Sequence, residues 1–123
     1  MNTIWIVDDS PGSNALLEYA IQELLPAAHI LSFLSGEDVL TYASRQDLPD
    51  AMFMDVHMGE MSGMETLEMM IERQQKPAWV CLCSSDTDPN LPQQAEAAGA
   101  DYFFVKPWGY DALLESVKAV LKV

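Results

Sequence analysis

Four short apolar runs, each ending on polar side chains, constrain the fold of this chain more than any other feature. The runs cover residues 3–7, 51–54, 79–83 and 102–105, and they have the length and the flanking residues of buried strands. They end at Asp8–Asp9, at Asp55, at Ser84 and at Lys106. In an open parallel sheet, the carboxyl ends of all strands lie at one edge, where ligands bind. We therefore expect these side chains to meet in one crevice.

The segments between the runs predict an alternation of strands and helices. A fifth strand is predicted at His29–Phe33, and helices are predicted over 14–25, around 39–43, over 62–75, from 92 to 98 and across 113–121. The third helix is expected to turn Met64, Leu67 and Ile71 inward. The fourth is expected to be lightly anchored, with only Leu91, Ala95 and Ala98 inward.

This alternation predicts a doubly wound α/β fold with a five-stranded parallel sheet flanked by five helices. Half of the 123 residues are hydrophobic, so we expect one packed domain over residues 1–123. Asp8, Asp9 and Asp55 can share a crevice only if the first and third strands are neighbours. That requirement favours the flavodoxin-like strand order 2-1-3-4-5.

Charge and hydropathy exclude several classes of function. The net charge is −13, and the six lysines and arginines are scattered, which argues against direct binding of nucleic acid. No apolar segment approaches the roughly 20 residues of a membrane span, and no leader pattern precedes the first strand, so a cytoplasmic protein is expected. Cys81 and Cys83 stand two apart on one strand and are expected to be buried free thiols.

The polar side chains at the strand ends have a coherent chemistry. Three carboxylates in one crevice repel one another unless a cation is present, and oxygen ligands favour a hard ion such as Mg²⁺. The ion and Lys106 could hold the oxygens of a transferring phosphoryl group, while Ser84 donates a hydrogen bond to another. Asp55 would then act as a carboxylate nucleophile and form an acyl phosphate.

The pattern Asp8–Asp9, Asp55, Ser84 and Lys106–Pro107, in this order, resembles the receiver domain of two-component response regulators of the chemotaxis-regulator type. The resemblance covers essentially the whole chain. It implies that Asp55 is the phosphoacceptor, with Ser84 and Lys106 as its catalytic partners. It further implies a Mg²⁺ site in which Asp9 and Asp55 bind directly, Asp8 acts mainly through water, and His57 contributes its backbone carbonyl.

The same resemblance implies a signalling role whose only catalysis is the protein's own phosphorylation and dephosphorylation. The phosphoryl donor would be a sensor histidine kinase or a histidine phosphotransfer protein. Ser84 and Phe103 would form the switch, changing the face of the fourth helix, fifth strand and fifth helix that contacts a downstream protein or output domain. Two further positions, His57 and Asp86, would tune the lifetime of the phosphoryl group. Because the fourth helix carries no Lys or Arg, a charge-paired dimer is disfavoured and a monomer is expected.

Some positions depart from the family pattern. Gly59 stands where proline is usual and Ser62 where aspartate is usual, which predicts a less rigid loop after the phosphoacceptor. Phe103 replaces the common tyrosine and has no hydroxyl. The Lys106–Pro107 bond is expected to be cis, as in the family. Trp108 is expected either to pack on the fifth helix or to lie exposed as a docking residue.

Two other functions occur on the same fold. A flavin-binding protein would cradle phosphate at residues 10–13, but Asp8 and Asp9 would repel that anion. A Mg²⁺-dependent aspartyl phosphatase usually needs a second acid two residues after its nucleophile, where this chain has His57, and a cap domain. The sequence leaves open which kinase acts on the protein and whether an output domain follows Val123.

Overall fold

The computed structural model of the protein describes residues 2–45 and 47–123. Met1 and Gln46, which belong to the predicted domain, lie outside the described residues. Strands and helices alternate along the chain: β1 Thr3–Val7, α1 Pro11–Leu24, β2 His29–Phe33, α2 Gly36–Ala43, β3 Ala51–Asp55, α3 Gly63–Glu72, β4 Trp79–Ser84, α4 Leu91–Ala98, β5 Tyr102–Val105 and α5 Tyr110–Leu121.

The strands form one parallel sheet in the order β2-β1-β3-β4-β5, which confirms the predicted topology. β1 and β3 are neighbours, with Val7 paired to Met54, so Asp8 and Asp55 follow adjacent positions. Asp55 pairs with Cys83, and the next residue, Ser84, pairs with Val105. The register therefore brings the ends of β1, β3, β4 and β5 to one edge of the sheet.

Both faces of the sheet are covered, which explains why its strands read as continuous apolar runs. Alternate side chains enter two separate cores. One core joins the sheet to α2, α3 and α4 and includes Trp5, Met52, Met54, Val80 and Leu82. The other joins it to α1 and α5 and includes Ile4, Ile6, Phe53, Cys81 and Val117. The free thiols of Cys81 and Cys83 are buried as predicted, and burial raises the pKa of Cys83 to about 12.

The first helix begins earlier than predicted. The sequence predicts a start at residue 14, but α1 starts at Pro11. The hydroxyl of Ser10 accepts a hydrogen bond from the Ser13 N–H at 3.3 Å and so caps the helix. Proline is well tolerated at the first helical position because its missing N–H would have no partner there.

The inward face of α3 was predicted correctly for Leu67 and Met64, which pack in the core, and wrongly for Ile71. The helix covers Gly63–Glu72 rather than 62–75, and Ile71 is 41% exposed, while Thr66, Leu67 and Met70 are buried. A Cβ atom on Gly63 would stand only 2.2 Å from the carbonyl oxygen of Asp55. The helix therefore approaches the end of β3 through Gly63, and this contact fixes the face that includes residues 66, 67 and 70.

The fourth helix is anchored as lightly as predicted. It buries only Leu91 and Ala95, whereas Ala98, also expected to be inward, is half-buried. Asn90 precedes it without a side-chain capping bond, and Gly99 ends it in a left-handed conformation at φ 107°. Across residues 2–45 and 47–123, no helix combines the length and the hydropathy that a membrane span requires.

Candidate functional site

The strand ends converge on a cavity of about 510 Å³ at the carboxyl edge of the sheet. Its lining includes six of the eight predicted site residues: Asp8, Asp9, Asp55, His57, Ser84 and Lys106. Asp86 lies beside it through a contact to His57, and Phe103 lies below it in the core shared with α4. The predicted convergence of the acidic, hydroxyl and amine groups is therefore present.

Lys106 joins the two inner carboxylates of the cavity. Its ammonium group donates hydrogen bonds to Oδ2 of Asp8 and, at 3.0 Å, to Oδ2 of Asp55. The backbone of Lys106 is fixed to β4, since its N–H donates to the carbonyl of Ser84 at 2.8 Å. We call Asp8, Asp55 and Lys106 the ion cluster. With the side chain of Lys106 only 17% exposed, this cluster is largely shielded from water.

Electrostatics keep Lys106 charged. Burial alone would lower the pKa of this amine, but neighbouring negative groups outweigh it and raise the pKa above its usual value. Those groups are Cys83 and the carboxylates of Asp8 and Asp55. Because the Cys83 thiol, with a pKa of about 12, is neutral near pH 7, the two carboxylates are the groups that act there.

Backbone and amide donors hold the first loop in place. Asp8 Oδ1 accepts the N–H of Ser10 at 2.9 Å, and the side-chain amide of Asn14 donates to the carbonyls of Asp8 and Phe33 at 3.0 and 3.1 Å. Sequence reasoning missed Asn14. The signal was available, because Asn14 precedes Leu17 and Ile21 at helical spacing and is the polar residue on an otherwise apolar helix face.

Asp9 differs from the other two carboxylates. It is exposed, and its Oδ2 accepts a hydrogen bond from the backbone N–H of Gly59 at 3.2 Å. This bond crosses from the loop after β1 to the loop after β3. Sequence reasoning missed it because a backbone donor leaves no mark in a residue pattern.

The switch candidates lie on the side of the sheet that faces α4. Ser84 is buried, and its Oγ accepts a hydrogen bond from the N–H of Asp86 at 3.0 Å. Phe103 is partly buried, pairs with Leu82 in the sheet and packs in the core that includes Leu91 and Ala95. Ser84 and Phe103 therefore lie on the same face of the sheet.

A side-chain bridge spans the loops after β3 and β4. Nε2 of His57 lies 3.0 Å from Oδ2 of Asp86, and both side chains are largely exposed. The His57 N–H donates to Oδ1 of Asp55 at 3.0 Å. Hydrogen bonds from the Asp88 N–H and then from His57 lower the pKa of Asp86, so it is ionised near neutrality. The contact thus joins the two positions that the resemblance gives as tuning the lifetime of the phosphoryl group.

The segment after β5 differs from one expectation and decides between two alternatives for Trp108. The Lys106–Pro107 bond is trans, contrary to the expected cis form, and the described residues contain no cis peptide bond. Lys106 reaches both carboxylates from this trans geometry, which X–Pro bonds intrinsically prefer. Trp108 is 99% exposed and lies at the cavity rim, so it does not pack on α5.

The residues that line the cavity fit a hard cation that a few protein oxygens and water bind together. No three His, Cys, Asp or Glu side chains among residues 2–45 and 47–123 are arranged to hold a metal ion by themselves. A Mg²⁺ site needs fewer protein side chains than three, because Mg²⁺ keeps several waters and takes one or two carboxylates. Asp9 and Asp55 line the cavity with His57, whose backbone lies beside Asp55. This oxygen-rich donor set suits Mg²⁺ better than a soft metal.

The comparison with protein families is decisive. The response regulator receiver domain model matches residues 4–118. The chain belongs to this family. Receiver domains are the phosphorylation-dependent signalling modules of two-component systems and generally use Mg²⁺, so neither the flavin nor the phosphatase alternative is supported.

Individual relatives agree with this assignment. The chain is 32% identical to the heme response regulator HssR of Staphylococcus saprophyticus over 99% of its own length and 52% of that protein. It is 32% identical to the C4-dicarboxylate transport transcriptional regulatory protein DctD of Pseudomonas aeruginosa over 98% of its own length and 25% of that protein. It thus spans about half of the first relative and a quarter of the second.

Among solved structures, the chemotaxis response regulator CheY4 of Vibrio cholerae superposes with a TM-score of 0.79 and 25% identity, over 98% of both chains. The receiver fold therefore appears both in longer regulators and in a protein of nearly this length.

Proposed function

We propose that residues 1–123 form one receiver domain that accepts a phosphoryl group on Asp55 from a histidine phosphodonor. In this transfer the P–N bond of the phosphohistidine breaks, and a P–O bond forms to a carboxylate oxygen of Asp55. The observation that carries the proposal is the ion cluster, since Asp55 shares Lys106 with Asp8 inside the cavity. Lys106 holds the nucleophile in place and neutralises charge on the incoming phosphoryl oxygens.

The other cavity residues take roles consistent with this chemistry. Asp9 and Asp55, the carbonyl of His57 and, through water, Asp8 would hold Mg²⁺. When bound, the ion would supply positive charge to the phosphoryl oxygens. Ser84 donates a hydrogen bond from its hydroxyl to a phosphoryl oxygen, and its Oγ accepts the Asp86 N–H, so turning the hydroxyl toward the phosphoryl group strains or breaks that second bond. The protein thus acts as a signalling domain whose only chemistry occurs on its own aspartate.

The donor is proposed to be a sensor histidine kinase or a histidine phosphotransfer protein. A phosphohistidine must reach Asp55 through the cavity mouth, where Leu16 is 50% exposed and Trp108 almost completely so. Exposed aromatic and aliphatic side chains beside a reactive group favour a protein donor over a small molecule alone. With a net charge of −13 and six basic residues, the domain is proposed to act as a cytoplasmic monomer that does not bind nucleic acid.

The switch is proposed to run from Ser84 to Phe103 and then to the face formed by α4, β5 and α5. Movement of the Ser84 hydroxyl toward the phosphoryl group vacates space on the α4 side of the sheet, which Phe103 can fill. Since α4 buries only two side chains, it is the element that shifts, and a downstream protein or output domain senses this face.

His57 and Asp86 are proposed to set how long the phosphoryl group survives. Water must attack the phosphorus from the side opposite Asp55. The 3.0 Å contact to Asp86 supports a role in which His57 is held at the cavity and shields this path.

The test is Asp55→Asn. Purified protein is incubated with acetyl phosphate and Mg²⁺, and intact mass is measured before and after hydroxylamine, which cleaves acyl phosphates. We expect hydroxylamine-sensitive labelling of the natural chain and none of Asp55→Asn, with circular dichroism unchanged. Undiminished labelling of Asp55→Asn would refute the assignment.

A further inference from the structure

The loop that follows β3 carries a backbone donor at Gly59, the fourth residue after Asp55. Gly59 stands where the family usually has proline, and its N–H donates to Oδ2 of Asp9 at 3.2 Å. Proline has no backbone N–H and could not make this bond. The substitution therefore adds a specific contact between the loops after β1 and β3.

The contact concerns the one carboxylate that Lys106 does not hold. Asp8 and Asp55 both accept hydrogen bonds from Lys106, while Asp9 is exposed and bonded to Gly59. An unrestrained Asp9 would be repelled by the two inner carboxylates and would turn toward bulk water. The Gly59 N–H acts against that tendency, because it holds Asp9 toward the loop after β3, which also carries His57.

The bond uses one oxygen of Asp9 and leaves the other for a ligand. A carboxylate can accept several hydrogen bonds, so one N–H on Oδ2 does not block coordination through Oδ1. Outer hydrogen bonds of this kind orient metal ligands, and their loss commonly weakens metal binding.

We propose that Gly59 is a positioning residue, whose backbone N–H orients Asp9 for Mg²⁺. The inference rests on the proposed function, because the ion is the one that phosphoryl transfer would use. It gives a physical reason for the departure from proline: the rigidity that proline would supply is replaced by a hydrogen bond to a metal ligand.

The test compares Gly59→Pro with Gly59→Ala. Gly59 has an ordinary backbone φ, and a Cβ added there meets nothing within 4 Å, so alanine fits and keeps the N–H. Mg²⁺ affinity is measured by isothermal titration calorimetry, without any phosphodonor. We expect Gly59→Ala to bind like the natural chain and Gly59→Pro to bind about three- to tenfold more weakly. Equal affinities, or tighter binding by Gly59→Pro, would overturn the proposal.

A second measurement does not depend on Gly59→Pro folding well. In the natural chain, the Gly59 amide proton is followed by NMR during Mg²⁺ titration, with its signal assigned by its loss in glycine-labelled Gly59→Ala. We expect the amide to stay protected from solvent exchange at saturating Mg²⁺. Loss of protection would mean that Asp9 leaves Gly59 to bind the ion, which overturns the positioning role. Because both readouts omit phosphorylation, failure of Asp55 labelling leaves them interpretable.

Discussion

The ion cluster and the α4–β5 edge of the sheet are held in very different ways. Asp8 and Asp55 extend from the central strands β1 and β3, and Lys106 bonds to both. The α4–β5 edge has a helix that buries two side chains and begins without a side-chain cap, beside an edge strand whose residues are at best partly buried. The proposed chemistry, which needs fixed distances, thus lies on the rigid part, and the part proposed to move is weakly anchored.

Apart from the loss of Asp55 itself, the largest effect on phosphorylation should come from removing the residue that makes the cluster rigid. Lys106→Met leaves two carboxylates without their shared partner. We expect labelling by acetyl phosphate to slow about 100-fold and the free energy of unfolding to fall by about 2 kcal/mol. Labelling is timed by intact mass, and stability is measured by urea denaturation.

The double variant Asp8→Asn/Lys106→Met supplies the control. Removing one of the repelling charges should restore part of the stability but none of the labelling rate. If Lys106→Met is as stable as the natural chain, the cluster is not what holds this region together.

In the natural chain, the stability that the ion cluster contributes should not depend on pH near neutrality. The pKa of Lys106 is raised above its unfolded value of 10.5, so the stabilisation is complete below that pH and is lost only as the pH rises through the folded value.

A matched pair of leucines tests the contrast directly. Leu17 in α1 and Leu91 in α4 are 5% and 4% exposed, so alanine at either site removes the same buried atoms. We expect Leu17→Ala to lower the free energy of unfolding by about 3 kcal/mol. We expect Leu91→Ala to cost about 1 to 2 kcal/mol, because α4 can open locally without unfolding the sheet.

Hydrogen exchange measured by mass spectrometry shows where each loss occurs. Exchange in Leu91→Ala should accelerate in α4 and β5 and remain slow in β1 and β3. Equal stability losses with uniformly faster exchange would contradict the view that α4 is an independently mobile element.

The smallest predicted effect concerns the bridge that links the two regions. His57→Asn should shorten the lifetime of the phosphoryl group about threefold, because the smaller side chain shields the attacking water's path less well. Asp86→Ala should shorten it similarly by releasing His57, and the double variant should be no worse than either single one. The lifetimes are measured from the decay of the labelled mass after acetyl phosphate is removed.

Asp88→Ala is the control, since this neighbouring carboxylate accepts the Asn90 N–H and makes no hydrogen bond or ion pair with His57 among the described residues. The phosphoryl group should survive as long on Asp88→Ala as on the natural chain. Fully additive effects of His57→Asn and Asp86→Ala would show that the two side chains act separately.

The sequence predicted correctly the features that depend on where the strands end. It failed for features that are set by side-chain packing or by backbone hydrogen-bond donors. The strand order followed from requiring Asp8, Asp9 and Asp55 in one crevice. On α3, Leu67 was placed correctly, but Ile71 was placed inward instead of Met70, because both are apolar and the sequence does not show how closely Gly63 approaches β3. The contacts from Gly59 to Asp9 and from His57 to Asp86 join loops 50 and 29 residues apart in the chain, and no local pattern encodes their conformations.

Trp108 gives the molecule an optical reporter that needs no label. Trp5 is buried in the core and Trp79 packs between Phe53 and Tyr102, whereas the indole of Trp108 is surrounded by solvent at the cavity mouth. Its fluorescence should therefore lie at longer wavelengths than that of the other two and should be the component that aqueous iodide quenches. A partner that covers the mouth would protect this emission from quenching, so its arrival and departure could be followed in real time in the unmodified protein.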